Sequence, residues 1–225
     1  MTKKLIIFDF DGVIVTGTNK RYIQCYLSSM EYAKAITKAQ EPTAKKKILE
    51  HWGQIYQKEI NSVVTDPIKQ KETYQKFIKL LHTNKFESAI KKAPHIDACL
   101  DYLNENKFTP VISSGSEKTT LTHISNLCNI NLEKFKDIQT GDMYTEKYQK
   151  PNPKMILDQI KKFNTTPKNT IYIGDAIGDI KMANAAKVTS VTVLTGLLTK
   201  KEAVAENPEF IINNLKELKE VLTCM

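Results

Sequence analysis

The sequence predicts an α/β fold: a doubly wound, Rossmann-like parallel sheet with an inserted all-helical domain. Three observations predict it. The apolar run from Lys4 to Phe10 is flanked by charge and reads as a buried strand. From about Thr16 to Ala93 the apolar spacing is helical, with no convincing strand. After Pro94, helix and strand patterns alternate as they do in parallel sheets covered on both faces. The core is therefore expected at residues 1–16 and 94–225, and the insert at 17–93.

Within the insert, Thr18 or Asn19 caps a helix through Tyr22, Tyr26, Met30 and Ala33, which Glu41-Pro42 breaks. A second helix is expected from Thr43 to about Ile60. Asp66-Pro67 opens a third through Tyr74, Phe77, Ile78 and Leu81. In the core, helices are expected over 95–106, 117–128, 153–163 and 177–186. Strands are expected over 108–113, 137–140, 170–174 and 188–194, and segments 200–205, 210–212 and 215–222 complete the alternation.

Composition narrows the function. The net charge is +8, but Arg21 is the only arginine. Nucleic-acid readers draw on arginine for bidentate contacts, so the basic excess reads as solvated lysines that steer anionic substrates. Cys25, Cys99, Cys128 and Cys224 are scattered, with no C-x-x-C, which argues against structural zinc or a disulfide scaffold. No apolar stretch of about 20 residues suggests a membrane span. Asp9 and Asp11 interrupt the N-terminal apolar run too early for a secretion signal, so a cytoplasmic location is the default.

Three expected strands end in polar residues, at the sheet edge where ligands bind. They end in Asp9-Phe10-Asp11-Gly12, Ser113-Ser114-Gly115-Ser116 and Gly174-Asp175, and a Lys150-Pro151-Asn152-Pro153 loop precedes a helix between the last two. This set resembles the haloacid dehalogenase superfamily, in its phosphoglycolate phosphatase and β-phosphoglucomutase-like branch with a helical cap. Asp9-Phe10-Asp11-Gly12-Val13-Ile14 matches the first motif, D-x-D-G-[VT]-[LI]. Val111-Ile112-Ser113-Ser114-Gly115 matches the second, Lys150-Pro151-Asn152-Pro153 the third and Gly174-Asp175-Ala176-Ile177-Gly178-Asp179 the fourth. The four stand in the family's order, and the resemblance covers the whole chain.

The resemblance implies a magnesium-dependent phosphatase acting on a small phosphorylated metabolite, and the composition above speaks against a nucleic-acid or membrane partner. Asp9 is the implied nucleophile, a carboxylate that forms an aspartyl-phosphate and splits a very slow hydrolysis into two steps. Asp11 is the implied general acid and base. Asp9 and Asp175 supply side-chain oxygens to Mg2+, Asp11 its backbone carbonyl, and Asp179 an outer-shell contact. The bland reading of Asp179 is a favourable acid in the first turn of a helix. Lys150, Ser114 and the Gly115 amide bind phosphate, with Ser113 competing for the place of Ser114. Arg21 is expected either to hold a substrate carboxylate or phosphate, or to be an exposed helix arginine. A sugar phosphomutase with the same core is the alternative enzyme. A catalytically silent phosphate-binding or regulatory protein is the alternative from another class.

Overall fold

The computed structural model describes residues 4–52 and 55–224. Residues 1–3 of the N-terminal segment, and positions 53 and 54 of the helix expected over 43–60, lie outside them. The chain divides into two compact units. One takes residues up to Thr16 together with those from Lys91 onward, and the other is Gly17–Ile90.

The first unit begins with β1 (Leu5–Phe8) and a two-residue β2 (Val15–Thr16). The second unit holds α1 (Thr18–Tyr32), α2 (Glu41–Glu50), α3 (Tyr56–Asn61) and α4 (Pro67–Leu81). The first unit resumes with β3 (Lys91–Lys92), α5 (Ile96–Glu105), β4 (Thr109–Ser113), α6 (Lys118–Leu127) and β5 (Ile138–Gln139). It continues with α7 (Lys154–Lys162), β6 (Thr170–Gly174), α8 (Ile177–Ala186), β7 (Thr189–Val193), α9 (Lys200–Ala205), β8 (Phe210–Ile212) and α10 (Leu218–Thr223).

Six of these strands form a parallel sheet in the order β5-β4-β1-β6-β7-β8. All four residues of β1 are buried, which is why the strand reads as an unbroken apolar run: a parallel strand covered on both faces has no polar side. Leu5 and Ile7 of β1 and Tyr172 of β6 pack with Met155 and Ile156 of α7 and with Met182 and Ala183 of α8. The Gly17–Ile90 unit has its own core. In it Tyr22, Tyr26 and Met30 of α1 meet Phe77, Leu80 and Leu81 of α4. Tyr26 stacks on Phe77 with ring centroids 4.1 Å apart, and its hydroxyl donates to the buried Glu59 carboxylate. Burial pushes the Cys25 thiol up to about 11 and the Cys99 thiol up to about 12, the inert condition of structural cysteines. Among the described residues no helix is long and apolar enough to cross a membrane.

Several expected boundaries move. Gly17, at φ 81°, is the N-cap of α1 in place of Thr18 or Asn19. The helix ends at Tyr32, well before Glu41-Pro42. Pro42 starts α2 instead of breaking α1, since proline fits the first helical turn, where its missing N–H has no carbonyl to meet. The helix expected over 43–60 is two helices, because α2 stops at Glu50 and His51–Trp52 turn away. The second boundary of the insert falls after Ile90. Lys91–Lys92 pair antiparallel with Val15–Thr16, and the Ala93 amide donates to the Ile14 carbonyl (3.0 Å).

Candidate active site

β1 lies between β4 and β6, so the sheet grows from it in both directions: through β4 to β5 on one side, and through β6 and β7 to β8 on the other. Such a reversal opens a crevice at the carboxyl ends of the strands. The register sets Phe8 level with Ile112 and Ile173. The Asp9 amide extends the ladder by donating to the Ile173 carbonyl (2.8 Å). Asp9, Ser114 and Asp175 each follow directly on a strand and reach the same edge.

A buried charge cluster occupies this edge. The Lys150 ammonium lies 2.8 Å from Asp9 Oδ1 and 2.7 Å from Asp179 Oδ1. Asp179 stands in the first turn of α8, and its Oδ2 accepts from the Asp175 and Ala176 amides, both at 3.1 Å. Its Oδ1 also accepts the Tyr172 hydroxyl (3.0 Å). One Asp179 oxygen thus caps α8, as its bland reading expects, and the other holds Lys150. Asp175 Oδ2 accepts the Leu197 amide (2.8 Å). Gly12 has φ +79°, and a Cβ there would lie 2.1 Å from Asp175 Oδ2, so any side chain would displace that carboxylate.

The electrostatics are unbalanced. Asp9, Asp175 and Asp179 gather around one lysine, and the charge of Asp11 also bears on Asp9. Burial pushes the Asp9 carboxyl up to about 7, with Asp179 and Asp11 adding to the shift and Lys150 opposing it. Burial and then Asp179 also raise Asp175 well above the usual carboxylate range. Burial works against the Lys150 ammonium, yet Asp179 and Asp9 outweigh it and hold its pKa well above ordinary. Asp9, Asp175 and Asp179 each offer an oxygen, all within 4.8 Å of one another. An all-oxygen donor set with excess negative charge fits a hard divalent cation.

The serines separate cleanly. Ser113 Oγ is buried and donates to Gln139 Oε1 (2.9 Å). Ser114 Oγ accepts the Ser116 amide (3.1 Å), which leaves the Ser114 proton to be donated elsewhere. A Cβ on Gly115 would meet nothing within 4 Å, so that segment faces open space. Ser116 Oγ donates to Asp11 Oδ2 at 2.5 Å. Sequence reasoning missed three contributors: Ser116, the Tyr172 hydroxyl and the Leu197 amide. Ser116 was visible only as one more polar residue after β4. Tyr172 was visible only as a hydroxyl in an otherwise apolar strand, and a backbone amide has no sequence signal.

Arg21 belongs to the Gly17–Ile90 unit, and it is not the exposed helix arginine expected, since its relative exposure is 0%. Nor does the structure give it a solvent-facing role in binding an anion. Its Nη2 donates to the Leu81 and Thr83 carbonyls (2.9 and 3.0 Å) and lies 3.2 Å from Glu87 Oε1, while Nε donates to the Lys85 carbonyl (3.4 Å). The guanidinium thus ties the chain after α4 back to the start of α1.

Comparison with known proteins agrees with the four motifs. The chain is 30% identical over 92 residues to a phosphoglycolate phosphatase of Nitrosococcus oceani, which is 41% of this chain and 40% of that protein. It is 27% identical over 129 residues to a phosphoglycolate phosphatase of Vibrio parahaemolyticus, 57% of this chain and 55% of that protein. The chain thus spans about half or less of the length of these curated relatives. A candidate haloacid dehalogenase-like hydrolase from Bacteroides fragilis has the same fold, with a TM-score of 0.80 over 96% of this chain and 99% of that one, at 22% identity. The sequence pattern of the haloacid dehalogenase-like hydrolases matches residues 6–193, and the chain belongs to that family.

Proposed function

We propose that the protein is a magnesium-dependent phosphatase that hydrolyses a small phosphorylated metabolite through an aspartyl-phosphate on Asp9. The observation that carries the reading is the Lys150 ammonium, held between Asp9 and Asp179 with Asp175 alongside, at the switch point of the sheet. Carboxylates repel an incoming phosphate by about 4 kcal/mol each at 4 Å and an effective dielectric of 20. One lysine does not offset four of them. Asp9 and Asp175 would hold Mg2+ with the Asp11 carbonyl, and Asp179 would stand behind them, its oxygens already engaged by Lys150, Tyr172 and two amides. The bound ion supplies positive charge that lets two anions approach.

The chain's own groups then divide the work. Lys150 fixes the Asp9 carboxylate and faces the phosphoryl oxygens. Ser114 Oγ and the Gly115 amide donate to those oxygens. An Asp9 oxygen attacks phosphorus and the ester P–O bond breaks, while Asp11 gives its proton to the departing oxygen. Asp11 then takes a proton from water as the water attacks phosphorus. The P–O bond to Asp9 breaks, releasing inorganic phosphate and restoring both carboxyl groups. The Gly17–Ile90 unit acts as the cap that selects the substrate.

The test is a screen of phosphorylated metabolites with Mg2+, with phosphoglycolate first because both curated relatives bear its name. Release of inorganic phosphate with covalent label on wild type, but not on Asp9→Asn, supports the reading. Isomerised sugar phosphate without free phosphate would replace it with a mutase.

A further inference from the structure

We infer that Ser116 is a positioning residue for Asp11, aligning its carboxyl group for proton transfer to and from the phosphoryl site. The inference rests on the phosphatase reading above and extends it to a side chain that no motif singles out. Ser116 is buried, with a relative exposure of 6%. Its hydroxyl donates to Asp11 Oδ2 at 2.5 Å, linking the turn after β1 to the turn after β4. A serine hydroxyl has one proton, and this one is spent on Asp11 rather than on a phosphate oxygen.

The backbone of Ser116 is itself held from two sides. Its amide donates to Ser114 Oγ (3.1 Å), and its carbonyl accepts the Gly141 amide (2.9 Å) from the segment after β5. A Cβ on Gly141 would lie 2.1 Å from the Gly115 carbonyl oxygen, so the close approach that holds this turn requires glycine. The Gly141 carbonyl in turn accepts Gln149 Nε2 (3.1 Å), next to Lys150 in sequence. The same serine amide also engages Ser114, so one turn orients the phosphate donor and the proton donor together. A carboxyl group fixed at one oxygen cannot swing about its Cβ–Cγ bond without losing that bond. Misplacing a catalytic group by about 1 Å costs on the order of 10²-fold in rate.

The test compares leaving groups. An alkyl phosphate needs a proton on its departing oxygen, whereas p-nitrophenolate departs without one. kcat/KM reports the step up to phosphoenzyme formation for each substrate. Ser116→Ala is expected to lower kcat/KM for the alkyl phosphate by about 10–100-fold and for p-nitrophenyl phosphate by no more than about threefold, a split that arises only through general-acid catalysis. Ser116→Thr, which keeps the hydroxyl, should recover most of the alkyl activity. In an Asp11→Asn background, Ser116→Ala should add less than about a further twofold, because residues acting as a unit are not additive. If Ser116→Ala does not fold, Ser116→Cys keeps the size with a weak donor, and the same split is expected. An equal loss on both substrates, or a full additional loss in the Asp11→Asn background, overturns the inference and leaves the phosphatase reading intact. A wild-type protein that hydrolyses neither substrate defeats that reading and the inference with it.

Discussion

Arg21→Met tests the most buried charge among the described residues. The change keeps a long apolar stem but removes a guanidinium that reaches three backbone carbonyls and the Glu87 carboxylate. Taking one partner from a buried ion pair costs about 3–5 kcal/mol. Only the Leu81 bond is fully buried, and water can reach the Thr83 and Lys85 carbonyls, which favours about 3 kcal/mol over 5. A domain the size of the Gly17–Ile90 unit has a total stability of only several kcal/mol, so the variant sits close to unfolding. Trp52 is the chain's sole tryptophan, lies in this unit and meets Tyr22 edge-on at 6.2 Å, so its fluorescence follows this unit alone. With a urea slope of about 1–2 kcal/mol per molar, the midpoint should fall by at least about 1 M. Arg21→Lys should fall between wild type and Arg21→Met, because an ammonium cannot reproduce the planar fork. A midpoint unchanged in Arg21→Met, together with a raised KM in Arg21→Lys, would refute the structural role and restore Arg21 as a substrate ligand.

Asp9→Asn should lose roughly 10³-fold or more of turnover while melting no lower than wild type, since it relieves carboxylate crowding; calorimetry and a phosphate-release assay check both halves. Lys150→Gln removes the counter-charge between Asp9 and Asp179 and should cost roughly 10²-fold in kcat along with a lower melting temperature. Gly12→Ala drives a methyl group into Asp175 and should abolish activity, whereas Gly115→Ala points into open space and should keep at least about a third, as steady-state kinetics of the pair would reveal. Chelation should stop turnover and lower the melting temperature, and Mg2+ at about 100 times its Kd should restore about 2.7 kcal/mol.

The core was legible in sequence because its signals are local. Each central strand is an apolar run that stops at a polar residue, and the register of β1 with β4 and β6 then brings those stops to one edge. Asp9, Ser114 and Asp175 stood out in this way, whereas Lys150 stood out through the Lys150-Pro151-Asn152-Pro153 loop. The insert was harder to read. Proline at position 42 carries the same letter whether it ends one helix or begins the next, and only the tertiary packing of α1 decides. β2 and β3, at two residues each, are too short for any periodicity. Arg21 bonds to backbone carbonyls, which every residue has, so no pattern could announce its partners. Ser116 lies 105 residues from the carboxylate it touches and becomes visible only once β1 and β4 are neighbours.

The ribbon of β2 and β3 carries one more consequence. It sets Val15 opposite Lys92 and Thr16 opposite Lys91, and facing Cα atoms in an antiparallel pair stand about 5 Å apart. The points where the chain leaves the sheet-bearing unit and re-enters it are therefore neighbours within that unit. A two-residue turn joining Thr16 to Lys91 would close a hairpin there and leave every strand of the sheet with its present neighbours. In topological terms the whole insertion is a cassette: excising it, lengthening it or grafting in another sequence changes no connection in the catalytic scaffold. The helical insert and the sheet that carries Asp9, Lys150 and Asp175 are thereby written on separate stretches of chain, and each is open to replacement without rewriting the other.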